Sequence, residues 1–492
     1  MRLQHVLSAS LLRVLLSSCL LASSSDASSH PLRVSCGVAH SCAALASGVV
    51  RCWGDNRDGQ LGDGSSRANS SAPTSVTGIS DATEVRAGAH HTCALLSTGA
   101  VRCWGRNDHG QLGDGTAGDD SPVPVPVVGI STAARLALGT SHSCALLLDG
   151  TAKCWGKGSD GQLGDGASAS SAIPVLATPP TSSTTSGTTT ITYADLTAGG
   201  DRTCALLHPT GDVACWGDYQ VQIAGAYDAS SPTSVFAPTS PATVVAVAAA
   251  NRMTCATLSD GTARCWGAVV GQVWGPSNDG ARVSDAAGAA FATLVGGPGE
   301  FACATTATNG TVKCFGSNQF GQFGDGTVGG SYEPAWAAHQ ELRLSGSAAM
   351  ADAAAAVAPG AYHACAAATD GETVRCWGRN ANGELGDGTT DDRSTPGRVV
   401  GLVPSPPAPP AQTHTPTQTP TNGGDGSNSS SIASRPPPPP SLATPPPPNS
   451  PLRVLVDDDT NGDVGWRGGL CVGRRGSLLL LLVVVALSRR RT

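Results

Sequence analysis

Aromatic and charged residues are scarce in this sequence: aromatics make up 4% and charged residues 14% of its 492 residues. The formal net charge of −7 supplies no general electrostatic attraction to nucleic acid, so we expect no nucleic-acid partner. Glycine and proline, by contrast, are abundant, with 62 and 34 residues. This mixture favours short strands joined by many turns over long helices.

Motifs that mark familiar enzymes are also missing. The sequence has no G-x-S-x-G nucleophile elbow, no H-E-x-x-H zinc motif and no phosphate-binding P-loop. Its 17 cysteines are not grouped in fours at the C-x2-C spacing that a structural zinc site needs. We therefore expect neither catalysis nor a metal or other cofactor.

Long apolar runs are absent, and the longest one lies close to the C-terminus. It covers only residues 478–487, whereas a helix needs about 20 residues to span a bilayer. Cys471 precedes this run and Arg489 to Arg491 follow it. The order within residues 471–492 resembles the sorting tails of bacterial surface proteins, with the basic end cytoplasmic and Cys471 as a candidate for sorting or lipidation. A eukaryotic lipid-anchor signal and a nonfunctional end remain alternatives.

The N-terminal residues 1–24 have the features of a secretory signal peptide. Arg2 supplies the basic start, an apolar stretch interrupted by Arg13 follows, and small residues end the segment. The sequence before Cys19 also matches a lipoprotein processing site, which would make Cys19 a lipidated N-terminus. A buried N-terminal helix is a third interpretation.

Two linkers separate the central region from the C-terminal tail. Residues 403–452 are rich in proline, serine and threonine, which predicts an extended, semi-rigid stalk. Residues 453–470 are acidic, and Asp457, Asp459 and Asn461 match the first half of a calcium-binding loop. Gly468 occupies the twelfth position of that loop, where a bidentate glutamate is needed, so we interpret the run as a solvated linker.

Seven copies of one pattern occupy residues 30–402. The second copy, GAHHTCALLSTGAVRCWGRNDHGQLGDGT, starts at Gly88, and similar copies start at Gly37 and Gly139. Weaker copies are anchored at Cys204, Cys255 and Cys303, and a good seventh copy at Cys365. Anchors are 48–62 residues apart, and the longest gaps contain insertions at residues 168–190 and 348–356. A unit of this size with several short strands predicts a propeller blade, and seven units close a ring.

Each copy contains a predicted hairpin that brings two cysteines face to face. In the second copy, strands 92–96 and 100–104 flank a three-residue loop that ends in Gly99, where a left-handed backbone is required. Cys93 and Cys103 lie directly opposite in that register, at a separation that a disulfide tolerates. We predict seven hairpin disulfides, which join Cys42 to Cys52, Cys93 to Cys103, Cys144 to Cys154, Cys204 to Cys215, Cys255 to Cys265, Cys303 to Cys314 and Cys365 to Cys376. The pairing state of Cys36 stays open.

The pattern G-x-x-H-[ST]-C-A-L…C-W-G-x-N-x-x-G-Q-L-G-D-G resembles the repeat of the regulator of chromosome condensation family. The match is specific in copies one, two, three and seven and poor in copies four and five. The resemblance implies an all-β, seven-bladed propeller. The founding activity of the family, nucleotide exchange on a nuclear GTPase, is disfavoured by the cysteine pairs and export signals, whereas its secreted protein-binding members fit better.

Several polar residues that recur in the repeats are candidates for a functional site. Equivalent histidines at 40, 91, 142 and 363 recur in four copies, which favours a hydrogen bond within each blade over a metal site or a pH sensor. The aspartates of the Gly-Asp-Gly motif, at 63, 114, 165, 325 and 387, are more typical of turn caps than of glycosidase carboxylates. Residues that break the symmetry are better candidates, and we select Tyr219 and Trp274 as partner-binding anchors.

These observations predict a secreted or surface-tethered module that binds an unidentified extracellular protein, is monomeric, and associates with a membrane through its tail or a lipidated N-terminus. One alternative is a secreted enzyme that acts on polysaccharide in a central channel. The other is an intracellular nucleotide-exchange factor.

Overall fold

Strands make up all the regular secondary structure in the part of the chain that the computed structural model describes. The described residues are 32–65, 67–180, 182–184, 187–218, 229–237, 242–269, 272–274, 281–284, 290–329, 341–343, 353–402, 470–472 and 478–480. Residues 1–411 and 412–492 form two separate units. The predicted signal peptide and stalk lie outside the described residues.

Each of the first three repeats folds into a four-stranded antiparallel meander, which we call a blade. Consecutive strands in the sequence are neighbours in the sheet, so one repeat forms one blade without borrowing a strand. The strands are β1 (Arg33–Cys36), β2 (His40–Ala44), β3 (Val50–Gly54) and β4 (Ser70–Ser75) in blade 1; β5 (Ala82–Ala87), β6 (His91–Leu96), β7 (Val101–Gly105) and β8 (Ser121–Pro126) in blade 2; and β9 (Ala133–Leu138), β10 (His142–Leu147), β11 (Ala152–Gly156) and β12 (Ser171–Ala177) in blade 3.

The remaining repeats give four more blades and complete a seven-bladed β-propeller, which confirms the predicted fold class. Blades 4 and 7 are β15 (Thr192–Gly199), β16 (Arg202–His208), β17 (Val213–Gly217) and β18 (Ala229–Phe236), and β28 (Ala354–Pro359), β29 (His363–Ala368), β30 (Val374–Gly378) and β31 (Arg393–Arg398). The inner strands of blades 5 and 6 are β19 (Val244–Ala249), β20 (Met253–Leu258) and β21 (Ala263–Val269), and β24 (Phe291–Gly296), β25 (Phe301–Thr306) and β26 (Val312–Gly316).

Irregular strands accompany blades 3, 5 and 6. The insertion after blade 3 forms a hairpin of β13 (Ser182–Thr184) and β14 (Gly187–Thr189). The sheet of blade 5 gains β22 (Gln272–Trp274), β23 (Ala281–Ser284) and, in parallel, β27 (Glu341–Arg343), which comes from the segment after blade 6. In the second unit, β32 (Leu470–Val472) pairs with β33 (Leu478–Leu480).

The second and third strands of every blade form the predicted hairpin. Gly99 ends the blade 2 loop with φ +82°, a conformation that costs glycine little and other residues more. The cysteines are directly opposed, as Cys93 and Cys103 show. All seven predicted disulfides are present, with Cα–Cα separations of 4.0–4.1 Å. This confirms the pairing inferred from the loop lengths.

The hydrophobic core lies between blades, where seven clusters fill the seven interfaces. Each cluster receives a buried aromatic residue from the third strand of one blade, and these are Trp53, Trp104, Trp155, Trp216, Trp266, Phe315 and Trp377. Trp104, for example, packs with Leu61, Val76 and Val85 between blades 1 and 2. The apolar surface of one blade is therefore covered only when its neighbour is present.

The Gly-Gln-Leu-Gly-Asp-Gly motif of one blade packs against the tryptophan of the next blade. We call the contacting part of the motif, its glutamine carbonyl and the glycine two residues later, the seat. The carbonyl of Gln60 in blade 1 accepts hydrogen bonds from the indole Nε1 of Trp104 at 2.9 Å and from the Oγ1 of Thr92 at 3.0 Å. Gly62 lies under the indole, where an added Cβ would be 2.6 Å from Nε1. The ring closes in the same way, because Trp53 donates to the carbonyl of Glu384 in blade 7 at 2.8 Å.

The repeated histidines complete this network, and here the prediction was wrong in one respect. Each histidine bonds to the following blade rather than within its own: His40 Nε2 lies 2.9 Å from Thr92 Oγ1, and His363 Nε2 lies 2.8 Å from Ser41 Oγ. Because the Thr92 hydroxyl already donates to Gln60, the His40 imidazole must donate from Nε2. Burial lowers the pKa of His40 to about 3, so the ring is neutral and structural.

Candidate functional site

The residues selected from the sequence as binding or processing sites are not tested by the structure. Tyr219 and Cys19 lie outside the described residues. Trp274 ends β22 and Cys471 lies in β32, and in both strands only the backbone is described. All four remain predictions.

The Gly-Asp-Gly aspartates act as turn caps, as predicted. Asp114 Oδ1 accepts a hydrogen bond from the backbone N of Thr116 at 2.9 Å and from its Oγ1 at 2.7 Å. Equivalent bonds are made by Asp63, Asp165, Asp325 and Asp387. Each carboxylate therefore satisfies its own loop.

One end of the propeller carries the loops that follow the third strand and the turns that precede the second strand; we call it the loop face. In six of the blades the two segments are joined by a backbone hydrogen bond, such as Arg379 N to Tyr362 O at 2.9 Å. At two blade junctions the facing side chains are ion pairs: Lys157 with Asp201 at 2.9 Å, and Arg252 with Glu300 at 3.9 Å. At the junction of blades 1 and 2, Asp58 Oδ2 lies 3.6 Å from His90 Nδ1, and burial lowers the pKa of His90, so this contact is polar rather than ionic.

The junction between blades 6 and 7 holds an aromatic and cationic group instead. Phe320 takes the repeat position of Asp58, and Tyr362 takes that of His90, so an aromatic pair stands where blades 1 and 2 have a polar pair. Their rings meet edge to face with centroids 5.5 Å apart. The guanidinium carbon of Arg379 lies 5.7 Å from the Phe320 centroid and 5.6 Å from that of Tyr362. Tyr362 is 38% exposed. We call these three residues the aromatic cluster.

A central channel of about 350 Å³ is lined by the first strand of every blade. Its two carboxylates are both engaged: Glu84 pairs with Arg86 at 2.7 Å, and Asp195 pairs with Arg135 at 2.7 Å. Burial raises the pKa of Asp195, and the Arg135 charge opposes that shift. Neither carboxylate is available as an unpaired acid or base.

Cys36 is the one buried free cysteine among the described residues. Burial raises the pKa of its thiol to about 12, so it is an unreactive thiol at neutral pH. The described residues contain no group of three or more histidine, cysteine or acidic side chains placed to hold a metal. In the same residues, no helix has the length and apolar character needed to cross a membrane.

Sequence reasoning missed the aromatic cluster, although a signal was available. Phe320 belongs to the sixth repeat, whereas Tyr362 and Arg379 belong to the seventh. Only alignment of the repeats by position places Phe320 and Tyr362 at the positions that Asp58 and His90 occupy in blades 1 and 2. The sequence interpretation favoured insertions and repeats that had lost their motif as the places where the chain departs from the repeat pattern. A single aromatic in an otherwise intact loop was overlooked.

The regular part of the ring matches known repeats. A profile described as the regulator of chromosome condensation (RCC1) repeat matches residues 33–60, 82–111, 134–162 and 354–384. A second profile with the same description matches residues 47–95 and 98–146. These segments lie in blades 1, 2, 3 and 7, so RCC1 repeats are present in the chain.

Two curated proteins show how far the similarity extends. The ultraviolet-B receptor UVR8 of Arabidopsis thaliana is 28% identical over 382 residues, which cover 75% of this chain and 82% of that protein. The probable E3 ubiquitin-protein ligase HERC6 of Homo sapiens is 35% identical over 189 residues, or 38% of this chain and 18% of its own length. The similarity to HERC6 therefore leaves most of that protein unmatched.

Among solved structures, Prp20p from Saccharomyces cerevisiae superposes with a TM-score of 0.57 at 19% identity, over 75% of this chain and 86% of that one. At this identity the similarity shows the fold alone. It agrees with the propeller described above.

Proposed function

We propose that this RCC1-repeat propeller is a non-enzymatic interaction module that binds a protein partner outside the cell through its aromatic cluster. The carrying observation is that Phe320, Tyr362 and Arg379 form an aromatic and cationic group at one blade junction, where the equivalent residues of blades 1 and 2, Asp58 and His90, make a polar contact. Tyrosine and arginine are enriched among the residues that dominate binding energy in protein interfaces.

The chemistry of the cluster favours a partner that presents a carboxylate beside an apolar side chain. Among the described residues, the Arg379 side chain has no hydrogen bond or ion pair, and two aromatic rings hold it in place. A guanidinium that is positioned before binding loses little side-chain entropy when it pairs with a carboxylate. The exposed Tyr362 ring supplies apolar area next to that charge.

An extracellular location is supported by the seven disulfides, because such bonds persist in oxidising compartments. The signal-like N-terminus and the stalk followed by an apolar tail are consistent with export and surface tethering. Protein binding as a class also agrees with a protein of the same fold, because the Prp20p structure is described with its binding to Gsp1p and histones.

A polysaccharide-cleaving enzyme is less well supported by the channel. Glycoside hydrolysis uses one carboxyl group as a proton donor and a second as nucleophile or base. Glu84 and Asp195 each form an ion pair with an arginine, so both carboxylates of the channel already have a cationic partner. No unpaired acid remains in the described channel lining.

Quantitative capture from the extracellular fraction of the native host tests the proposal. The bait is the full chain, either wild type, the double variant Tyr362→Ala/Arg379→Ala, or the control double variant His90→Ala/Arg106→Ala at the same positions of blade 2. We expect one or more proteins to be retained by wild type and control and to fall about ten-fold or more with the cluster variant, the effect of losing a central anchor. Equal retention by all three baits would refute the cluster as the binding site.

A further inference from the structure

The central channel has an uneven lining that no repeat pattern predicts. The core residue of each first strand, such as Val34 or Leu136, faces the interface between blades. The residues on either side of it also border the channel. One such position holds a charged residue in four consecutive blades, namely Arg33, Glu84, Arg135 and Asp195. The equivalent positions in blades 5 and 7 hold Ala246 and Ala356.

The charges in the channel do not balance. Glu84 is neutralised by Arg86 and also accepts a hydrogen bond from the backbone N of Leu136 at 3.3 Å. Asp195 is neutralised by Arg135. Among the described residues, Arg33 has neither a hydrogen bond nor an ion pair, and it is solvent-exposed within the channel lining. Three guanidinium groups therefore face two carboxylates, which leaves one positive charge.

We propose that the channel is a binding site for a small organic monocarboxylate with an apolar body. Arg33 would hold the carboxylate in a bidentate pair, and the small residues of the neighbouring blade 7 and of blade 5 would leave room for the apolar body. This site is separate from the aromatic cluster and does not depend on its function.

The dimensions and chemistry of the channel support this class of ligand. A volume of about 350 Å³ lies at the lower end of the range for small-molecule sites. The planar fork of arginine matches a carboxylate, and one excess positive charge matches one negative charge. The side of the channel formed by Ala246, Ala248, Ala356 and Ala358 offers apolar contact and no competing charge.

Benzoate is a suitable probe, with benzamide as its neutral analogue and acetate as the anion without an apolar body. Titration of the full chain by calorimetry should show saturable benzoate binding, with benzamide and acetate each weaker by about ten-fold or more, the loss expected for one charge-assisted contact or its apolar counterpart. Arg33→Gln should weaken benzoate by about ten-fold, and Arg33→Lys by less.

Two further variants separate the site from general effects. Arg398→Gln removes an exposed arginine from the outer strand of blade 7 and should leave benzoate affinity unchanged. Ala356→Leu reduces the channel volume without a charge change and should weaken benzoate more than acetate. The proposal is overturned if wild type shows no saturable benzoate binding up to about 10 mM, a weak limit for a ligand of this size. It is equally overturned if Arg33→Gln binds as wild type, or if benzamide or inorganic phosphate binds as tightly as benzoate.

Discussion

Blades 1, 2, 3 and 7 differ from blades 4, 5 and 6 in a way that clarifies what the repeat motif does. The first group has a histidine that bonds to the next blade, whereas the second group has Arg202, Met253 and Phe301 in its place. In the first group every tryptophan Nε1 has a carbonyl acceptor. Among the described residues, the Nε1 atoms of Trp216 and Trp266 have none.

At four junctions the motif of one repeat supplies the acceptor for the tryptophan of the following repeat, whereas Trp216 lacks this hydrogen bond although blade 3 keeps the motif. Blade 5 has lost its Gly-Asp-Gly segment, and the next blade, blade 6, has Phe315 where the others have tryptophan. An indole N–H without an acceptor would be a buried, unsatisfied donor, whereas phenylalanine has no such group. The disulfide is common to both groups, because all seven hairpins keep it.

Acid should affect the regular blades most, because the four histidines that are buried in the described part of the chain belong to them. Burial lowers the pKa of His40, His91 and His363 to about 3 and that of His142 to about 4. Below pH 6.5 the unfolded chain therefore binds more protons than the folded chain. The stability that the neutral rings contribute is complete above pH 6.5 and is lost as the pH falls toward these values, by about 2 kcal/mol per ring at pH 5 and roughly 8 kcal/mol for four.

Urea unfolding followed by tryptophan fluorescence at pH 7.5, 6 and 5 measures this effect. His91→Gln should lower stability at pH 7.5 and reduce the pH dependence by about a quarter, one titrating ring in four. A midpoint that stays constant from pH 7.5 to 5 would contradict neutral, buried histidines.

Among the glycines, the one beneath a tryptophan indole should be the most sensitive to substitution. Gly62→Ala places a Cβ 2.6 Å from Trp104 Nε1 at φ +68°, so we expect a loss of about 3 kcal/mol from strain and overpacking. Gly78 has φ +69° and nothing within 4 Å of an added Cβ, so Gly78→Ala should cost only the backbone strain, about 1 kcal/mol. Equal losses in thermal unfolding would show that the seat has no special role.

Disulfide removal should affect regular and irregular blades alike. The pairs Cys93–Cys103 and Cys255–Cys265 both have a sequence separation of 10 residues. Replacing either pair by alanines should lower the free energy of unfolding by about 2–3 kcal/mol, from the entropy of the opened loop. Denaturant unfolding of both double variants checks this, and a negligible effect in blade 5 would mean that its disulfide does not constrain the chain.

The smallest expected difference concerns the indole hydrogen bond. Trp104→Phe removes a donor to the Gln60 carbonyl, whereas Trp266→Phe removes an N–H that has no acceptor in the described part of the ring. We therefore expect Trp104→Phe to be more destabilising by about 1 kcal/mol, the net value of one hydrogen bond. If Trp266→Phe is the more costly change in the same assay, the seat does not explain the tryptophan pattern.

Local patterns predicted most of the fold. The glycine-ended loops determine the hairpin register, and the register determines which cysteines meet, so the disulfides followed from spacing alone. Contacts between blades did not follow, because His40 and Thr92 are in different repeats and their meeting depends on ring closure. The channel and the aromatic cluster depend on the same long-range geometry, which places Phe320 against Tyr362 and brings Arg33 and the alanines of blades 5 and 7 to one channel.

The most direct test of an exported, disulfide-locked propeller is a non-reducing peptide map, by mass spectrometry, of the protein from its native host. We predict seven oxidised pairs, from Cys42–Cys52 to Cys365–Cys376, a free thiol at Cys36, and an N-terminus that lacks about the first 20 residues, the length of a signal peptide. Free thiols throughout the hairpins and an intact Met1 would contradict the account, and would place the protein in a reducing compartment.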